Sequence, residues 1–99
     1  MITCCIRYTL NPHRIADFEC YAATWPPIIA RCGGALVGYF LPKEGSNNFA
    51  VALIEFASLA AYETYREALR ADPEAEENFA HALRTECIQV EDRCFLRRV

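Results

Sequence analysis

Residues 34–69 constrain the fold of this chain more than any other stretch. They run Gly34-Ala-Leu-Val-Gly-Tyr-Phe-Leu-Pro42, a polar segment, Phe49-Ala-Val-Ala-Leu-Ile-Glu-Phe56, and Ser58-Leu-Ala-Ala-Tyr-Glu-Thr-Tyr-Arg-Glu-Ala-Leu69. The two apolar runs, rich in aromatic and β-branched residues, read as strands. Lys43 to Asn48 between them holds Gly45 and two asparagines, the residues a hairpin turn needs. The second run is apolar almost throughout, which predicts burial on both faces. Ser58 then caps a helix whose inward stripe is expected at Leu59, Tyr62, Arg66 and Leu69. The order is strand, hairpin loop, strand, helix.

The flanks complete the pattern. Residues 2–10 alternate, with Ile2, Cys4, Ile6, Tyr8 and Leu10 on one face and Thr3, Cys5, Arg7 and Thr9 on the other. Asn11-Pro12 has the form of an N-cap and first helical residue. Ile15, Phe18, Ala22, Trp25 and Ile29 then share a helical stripe. Pro26-Pro27 predicts a break or kink, with Pro26 restarting a short segment, and Gly33-Gly34 supplies the left-handed stop. Asp72-Pro73 predicts a second cap pair, after which Glu74, Glu76 and Glu77 suit the positive end of a helix dipole. Ala75, Phe79 and Leu83 (or Ala82) face inward on that helix. A last strand is expected over 87–98.

The result is an α+β chain of β-α-β-β-α-β order with its second helix broken in two, the split βαβ or ferredoxin-like pattern. Handedness places the first strand between the third and fourth in a four-stranded antiparallel sheet, with helices on one face. The other face is too apolar to stay wet, so two subunits are expected to press these faces together into a dimeric α/β barrel.

Length and composition narrow the classes further. The 99 residues suit one domain, 1–99. A hydrophobic fraction of 54% is high for a small monomer and again points to a subunit interface. The net charge of −3 and scattered basic residues argue against nucleic acid as a partner. No apolar run is long enough to span a membrane, and no targeting signal precedes the first strand, so a cytoplasmic location is expected. The six cysteines include no CxxC pair, and most fall among apolar strand residues. They read as reduced structural thiols rather than a disulfide framework or a metal site.

Taken in order, Tyr8-Thr-Leu-Asn-Pro12, Phe18, Trp25, Gly34, Gly38-Tyr39-Phe40, Gly45, Asn48, Phe49 to Phe56, Leu59-Ala-Ala-Tyr62-Glu63-Thr-Tyr65-Arg66 and Asp72-Pro73 resemble the bacterial branch of the NIPSNAP family, within the dimeric α/β-barrel superfamily. The resemblance covers nearly the whole chain. It departs after Asp72-Pro73, where many relatives carry a large aromatic and this chain has Glu74-Ala75, and in the first turn, which lacks Pro-Gly. The resemblance implies a cytoplasmic homodimer of ferredoxin-like subunits. The superfamily includes cofactor-free oxygenases, isomerases, haem-handling proteins and proteins without assigned activity, and fold alone does not choose among them.

No Ser-His-Asp order, nucleophile elbow, phosphate-binding glycine loop or HExxH occurs, and no metal or cofactor is expected. The candidate ligand-binding residues are Tyr8, His13, Trp25, Tyr39 and Arg66. Tyr8 and Trp25 lie on inward faces, where aromatics with polar tips can line a cleft between helices and sheet. The alternation does not decide which face Tyr39 occupies. Arg66 could guide an anion into the cleft. His13 could serve as a pocket base, although a solvated position near Asp17 also accounts for it. His81 reads as a surface partner of Glu77, and haem ligation through His13 or His81 is a weaker idea. Arg7, on the apolar face, needs a partner, for which Glu91 and Gln89 are the reachable candidates; Glu55 would sooner meet Arg93 or Arg97. The chain therefore reads as a ligand-binding dimer of unassigned activity. The alternative is a cofactor-free oxygenase or isomerase, which requires a pocket with converging polar groups near Tyr8 and Trp25.

Overall fold

A computed structural model describes residues 1–99 and shows β1 (Ile2–Leu10), α1 (Ile15–Cys32), β2 (Ala35–Phe40), β3 (Phe49–Phe56), α2 (Leu59–Arg70), α3 (Pro73–Thr85) and β4 (Ile88–Leu96). The sheet order is β2-β3-β1-β4, antiparallel throughout, so the ferredoxin-like topology is as the sequence predicts. The helices cover one face. The core lies between, built from Cys4, Ile6, Tyr8 and Leu10 of β1, Ala50, Ala52, Ile54 and Phe56 of β3, and Phe18, Tyr21, Trp25, Ile28 and Ile29 of α1.

Local chemistry sets most element ends. Gly33 takes a φ of 109° and ends α1, its N–H bonding the Ala30 carbonyl. Gly34 is needed for closeness instead, since a Cβ there would lie 2.8 Å from Ile29 Cγ2 and 3.0 Å from Ile54 Cγ2. Ser58 accepts from the Ala61 N–H, and Asp72 accepts from those of Glu74 and Ala75. Asp72 also takes a bidentate pair of 2.8 Å bonds from Arg31, tying the end of α1 to the start of α3.

Three local expectations fail. α1 passes through Pro26-Pro27 without a break. Both prolines are exposed, so their rings lie toward solvent, while Trp25, Ile28 and Ile29 on either side are buried. Asn11-Pro12 does not open α1. The Asn11 N–H bonds the Cys87 carbonyl, its side chain accepts from the His13 N–H, and its own carbonyl accepts from Arg14, which makes a separate turn. The helix begins at Ile15 with no side-chain cap. On α2 the buried pair is Tyr65 and Leu69, with Tyr62 and Arg66 half-buried and Leu59 exposed. On α3, Ala82 turns inward and Leu83 is exposed.

Two register shifts matter most. Between Leu36 and Gly38 the ladder with β3 gains one residue, Val37. Between Thr9 and Leu10 the ladder with β4 gains one, Gln89. One extra residue reverses which face every later side chain takes.

Candidate functional site

The first shift settles Tyr39. Leu36 pairs with inward Ile54, so unbroken alternation would send Tyr39 outward; with Val37 bulged out, Tyr39 pairs with buried Ala52 and turns to the helices. The second shift acts on β4. From the pairing Leu10 to Ile88, an unbroken ladder sets Glu91 beside Arg7 on the open face. With Gln89 extra, Glu91 pairs with Tyr8 and Arg93 with Ile6, both on the helix side, and Asp92 comes opposite Arg7. Arg7 accordingly pairs with Asp92, not with Glu91 or Gln89, and Glu55 pairs with Arg98 at 3.3 Å rather than with Arg93 or Arg97.

These residues meet in a cleft between helices and sheet. It is lined by Tyr8, Tyr39, Glu91 and Arg93 from the strands, Tyr21 and Trp25 from α1, Tyr62, Tyr65 and Arg66 from α2, and Phe79 from α3. The rings pack edge to face. Trp25 lies 4.9 Å from Phe79 and 5.6 Å from Tyr21, and Tyr8 lies 5.0 Å from Phe18, centroid to centroid. The open space admits the centre of a water-sized sphere over about 20 Å3. That holds about one ordered water and is far below the ~300 Å3 of an ordinary small-ligand pocket.

The polar groups of the cleft are mostly donors. Arg93 donates to the Tyr62 hydroxyl at 2.7 Å and to Glu91 at 2.6 Å. Burial works against its charge, but Tyr62 and Glu91 outweigh burial and raise its pKa. The Tyr8, Tyr21, Tyr39 and Tyr65 hydroxyls are all pushed up by burial and stay protonated at neutral pH. Tyr8 and Tyr39 approach at 3.5 Å, a weak contact that leaves both free to bond elsewhere. Trp25 is 3% exposed, and its buried indole Nε1–H makes no well-formed hydrogen bond, with the Tyr21 hydroxyl as its one near acceptor. Glu91 is the only carboxylate in the lining, and Arg93 engages it.

Four of the five candidate residues, Tyr8, Trp25, Tyr39 and Arg66, line this cleft. His13 does not; it sits exposed on the turn before α1. His81 donates from Nε2 to the Asp17 carbonyl at 2.9 Å, which fastens α3 to α1 beside the buried bond from Asn78 to the Tyr21 carbonyl. Tyr21, Glu91 and Arg93 were not foreseen as cleft residues. Tyr21 was legible, three residues after Phe18 and four before Trp25 on one helical stripe. Glu91 and Arg93 were not, because their side of the sheet depends on the bulge.

The class is an α+β subunit with the ferredoxin-like fold of the dimeric α/β-barrel proteins, carrying an aromatic, donor-rich cleft. Within that class the chain belongs to the NIPSNAP family, whose model matches residues 4–99. It is similar to a NIPSNAP family protein of unknown function from Agrobacterium tumefaciens, at 25% identity and a TM-score of 0.86, covering 100% of this chain and 94% of that one. It shares its fold with an uncharacterised NIPSNAP domain protein from Burkholderia xenovorans, at 18% identity and a TM-score of 0.83, covering 100% and 95%. A candidate antibiotic biosynthesis monooxygenase from Nitrosomonas europaea also has this fold, at 6% identity and a TM-score of 0.77, covering 100% and 99%. No curated protein matches the chain significantly in sequence.

Proposed function

We propose that the chain works as a cytoplasmic homodimer whose helix–sheet cleft binds a small, flat aromatic ligand bearing an oxygen acceptor. The observation that carries this reading is the buried Trp25 Nε1–H, which lacks a well-formed bond and has only the Tyr21 hydroxyl beside it. A buried donor left without a good bond costs up to about 1–3 kcal/mol, a cost that an acceptor supplied by a ligand would reduce. The surroundings fit such a ligand: aromatic walls for a planar body, protonated tyrosines and two arginines for its oxygen, and a single carboxylate. Entry requires Tyr62 and Phe79, both half-buried, to swing outward. Homodimer formation is favoured by the uncovered sheet face, where Val37, Phe40, Phe49, Val90 and Leu96 are exposed. Six unpaired cysteines fit a reducing compartment, and no helix is long and apolar enough to cross a membrane.

Trp25 is the only tryptophan, so its fluorescence reports directly on the cleft. Titration with 2-naphthoate should quench it saturably, while naphthalene, lacking the oxygens, binds at least tenfold more weakly. Calorimetry on Trp25→Phe should show weakened binding of 2-naphthoate in a protein that remains folded, because the substitution removes the indole donor and keeps an aromatic ring in its place. Equal binding of both probes, or none of either, would sink the proposal.

The second reading is a cofactor-free oxygenase, favoured by the fold shared with antibiotic biosynthesis monooxygenase candidates. It asks Glu91 to act as a base, which the Arg93 pair opposes. Protein-dependent dioxygen uptake with electron-rich phenols, abolished in Glu91→Gln, would favour it over simple binding.

A further inference from the structure

Two arginines of the chain are half-buried, Arg66 and Arg93, and both line the cleft. Arg93 is engaged by the Tyr62 hydroxyl at 2.7 Å and by Glu91 at 2.6 Å. Arg66 forms no ion pair and no hydrogen bond from its guanidinium. Its place in the fold makes this informative. Tyr62 and Arg66, one turn apart on α2, line the inner cleft and also an open depression of about 330 Å3 along that helix, shared with Glu63, Glu67 and Arg70. Those last three residues are exposed, and Glu63 and Glu67 pair with neither arginine. Arg66 thus stands at the doorway between the cleft and solvent, and its charge reaches inward. Burial pushes the Tyr65 hydroxyl up, and Arg66, then Arg93, pull the other way. The charged lining residues are Arg66, Arg93 and Glu91, so positive charge exceeds negative by one. A guanidinium held partly out of water with no anion beside it carries a desolvation cost that nothing offsets.

Building on the proposed binding of an aromatic ligand in the cleft, we propose that Arg66 determines its specificity and that the ligand is an aromatic carboxylate carrying one negative charge. The carboxylate supplies the anion that Arg66 lacks, and its two oxygens match the fork of a guanidinium. One negative charge also brings the lining to neutrality, whereas a neutral amide leaves Arg66 unpaired and a dianion leaves the site overcharged. Arg93 has a different part. With Glu91 already on it, it braces Tyr62 of α2 against β4 and adds to the field without making the first contact.

The test compares 2-naphthoate with 2-naphthamide, a neutral analogue of nearly the same shape that keeps an oxygen acceptor. Trp25 fluorescence is the readout, with the full chain at constant ionic strength. Wild type should bind the carboxylate about tenfold more tightly than the amide. Arg66→Met keeps an unbranched stem of similar helix propensity. It should lower the affinity for 2-naphthoate to that for 2-naphthamide and leave 2-naphthamide unchanged. Arg66→Lys, which keeps the charge and loses the fork, should retain part of the preference. Arg70→Met, one turn further along α2, should retain all of it. Equal binding of carboxylate and amide by wild type, both tighter than naphthalene, would overturn the role of Arg66 and leave aromatic-ligand binding standing. No binding of any of the three probes would overturn both. A preference that survives in Arg66→Met would mark a stem that only packs, with its head in water. A preference lost as fully in Arg70→Met would mark long-range attraction instead of an anchor, and either result would overturn the proposal.

Discussion

At the scale of single residues, Asp72 shows how one side chain serves several elements. It caps α3 through two backbone N–H groups and receives the Arg31 guanidinium from the end of α1. Arg31 beside it holds its carboxyl well below the usual carboxylate range, with the two amides acting in the same sense. A depressed folded-state pKa contributes stability that is fully present above the unfolded value of about 4 and is lost as pH falls from there toward the folded value. Asp72→Asn keeps a capping oxygen but gives up the charged pair. Wild type should therefore unfold at higher urea than Asp72→Asn at pH 7, and the gap should narrow as pH drops below about 4. Parallel stability curves for the two proteins down to pH 2 would show that the pair contributes nothing. Asp72 was readable from Asp-Pro followed by glutamates; its bond to Arg31 was not, because it joins residues 41 apart in sequence. The same division holds in the cleft. Tyr8 and Trp25 follow from simple periodicity, whereas Tyr39, Glu91 and Arg93 take their side of the sheet from bulges that no local pattern announces.

At the scale of elements, periodicity predicted every strand and helix, and it missed how three of them, α1, β2 and β4, respond to their neighbours. α1 is the clearer case. Pro26-Pro27 reads as a break because each proline removes one backbone hydrogen bond and crowds the carbonyl four residues earlier. The helix continues because Tyr21, Trp25, Ile28 and Ile29 bury against the sheet on both sides of the prolines, and burial of each such side chain contributes about 1.5–3 kcal/mol. Tertiary packing outweighs a local penalty of about 3 kcal/mol or more per proline. The two prolines should then be a standing cost. Replacing both with alanine restores two amide donors on the exposed side of α1, offset in part by the greater freedom of the unfolded chain. The double variant is expected to be more stable by about 2 kcal/mol, read as a higher urea midpoint at unchanged slope. A lower midpoint would mean that the bend they impose is needed to seat α1 on the sheet. The bulges make the complementary point. They leave β2 and β4 recognisable as strands while exchanging their faces, which is why strand positions were legible and cleft membership was not.

At the scale of the whole molecule, the dominant feature is the sheet face that the helices leave uncovered. Across its centre run Gly38, Leu53, Cys5 and Cys94, and beside them Phe40, Val51, Arg7 and Asp92. β3 shows the asymmetry directly: Ala50, Ala52, Ile54 and Phe56 are buried by the helices, while Val51 and Leu53 on the other side are only half-buried. The expectation that β3 is buried on both faces is thus met on one face, and the other stays partly exposed in the single subunit. A second copy is the simplest occupant. Arg7 and Asp92 already neutralise each other, so two such faces can meet without stranding a charge. Light scattering should give twice the subunit mass at micromolar concentration. Leu53→Asp places a charge in the middle of the face at little cost to a lone subunit, where the position remains partly solvated, but at the cost of an unpaired buried carboxylate in the dimer. The variant should run as a folded monomer with an unchanged circular dichroism spectrum. A wild type already monomeric at tens of micromolar, or a Leu53→Asp protein that stays dimeric, would place the interface elsewhere and leave this apolar face needing another partner.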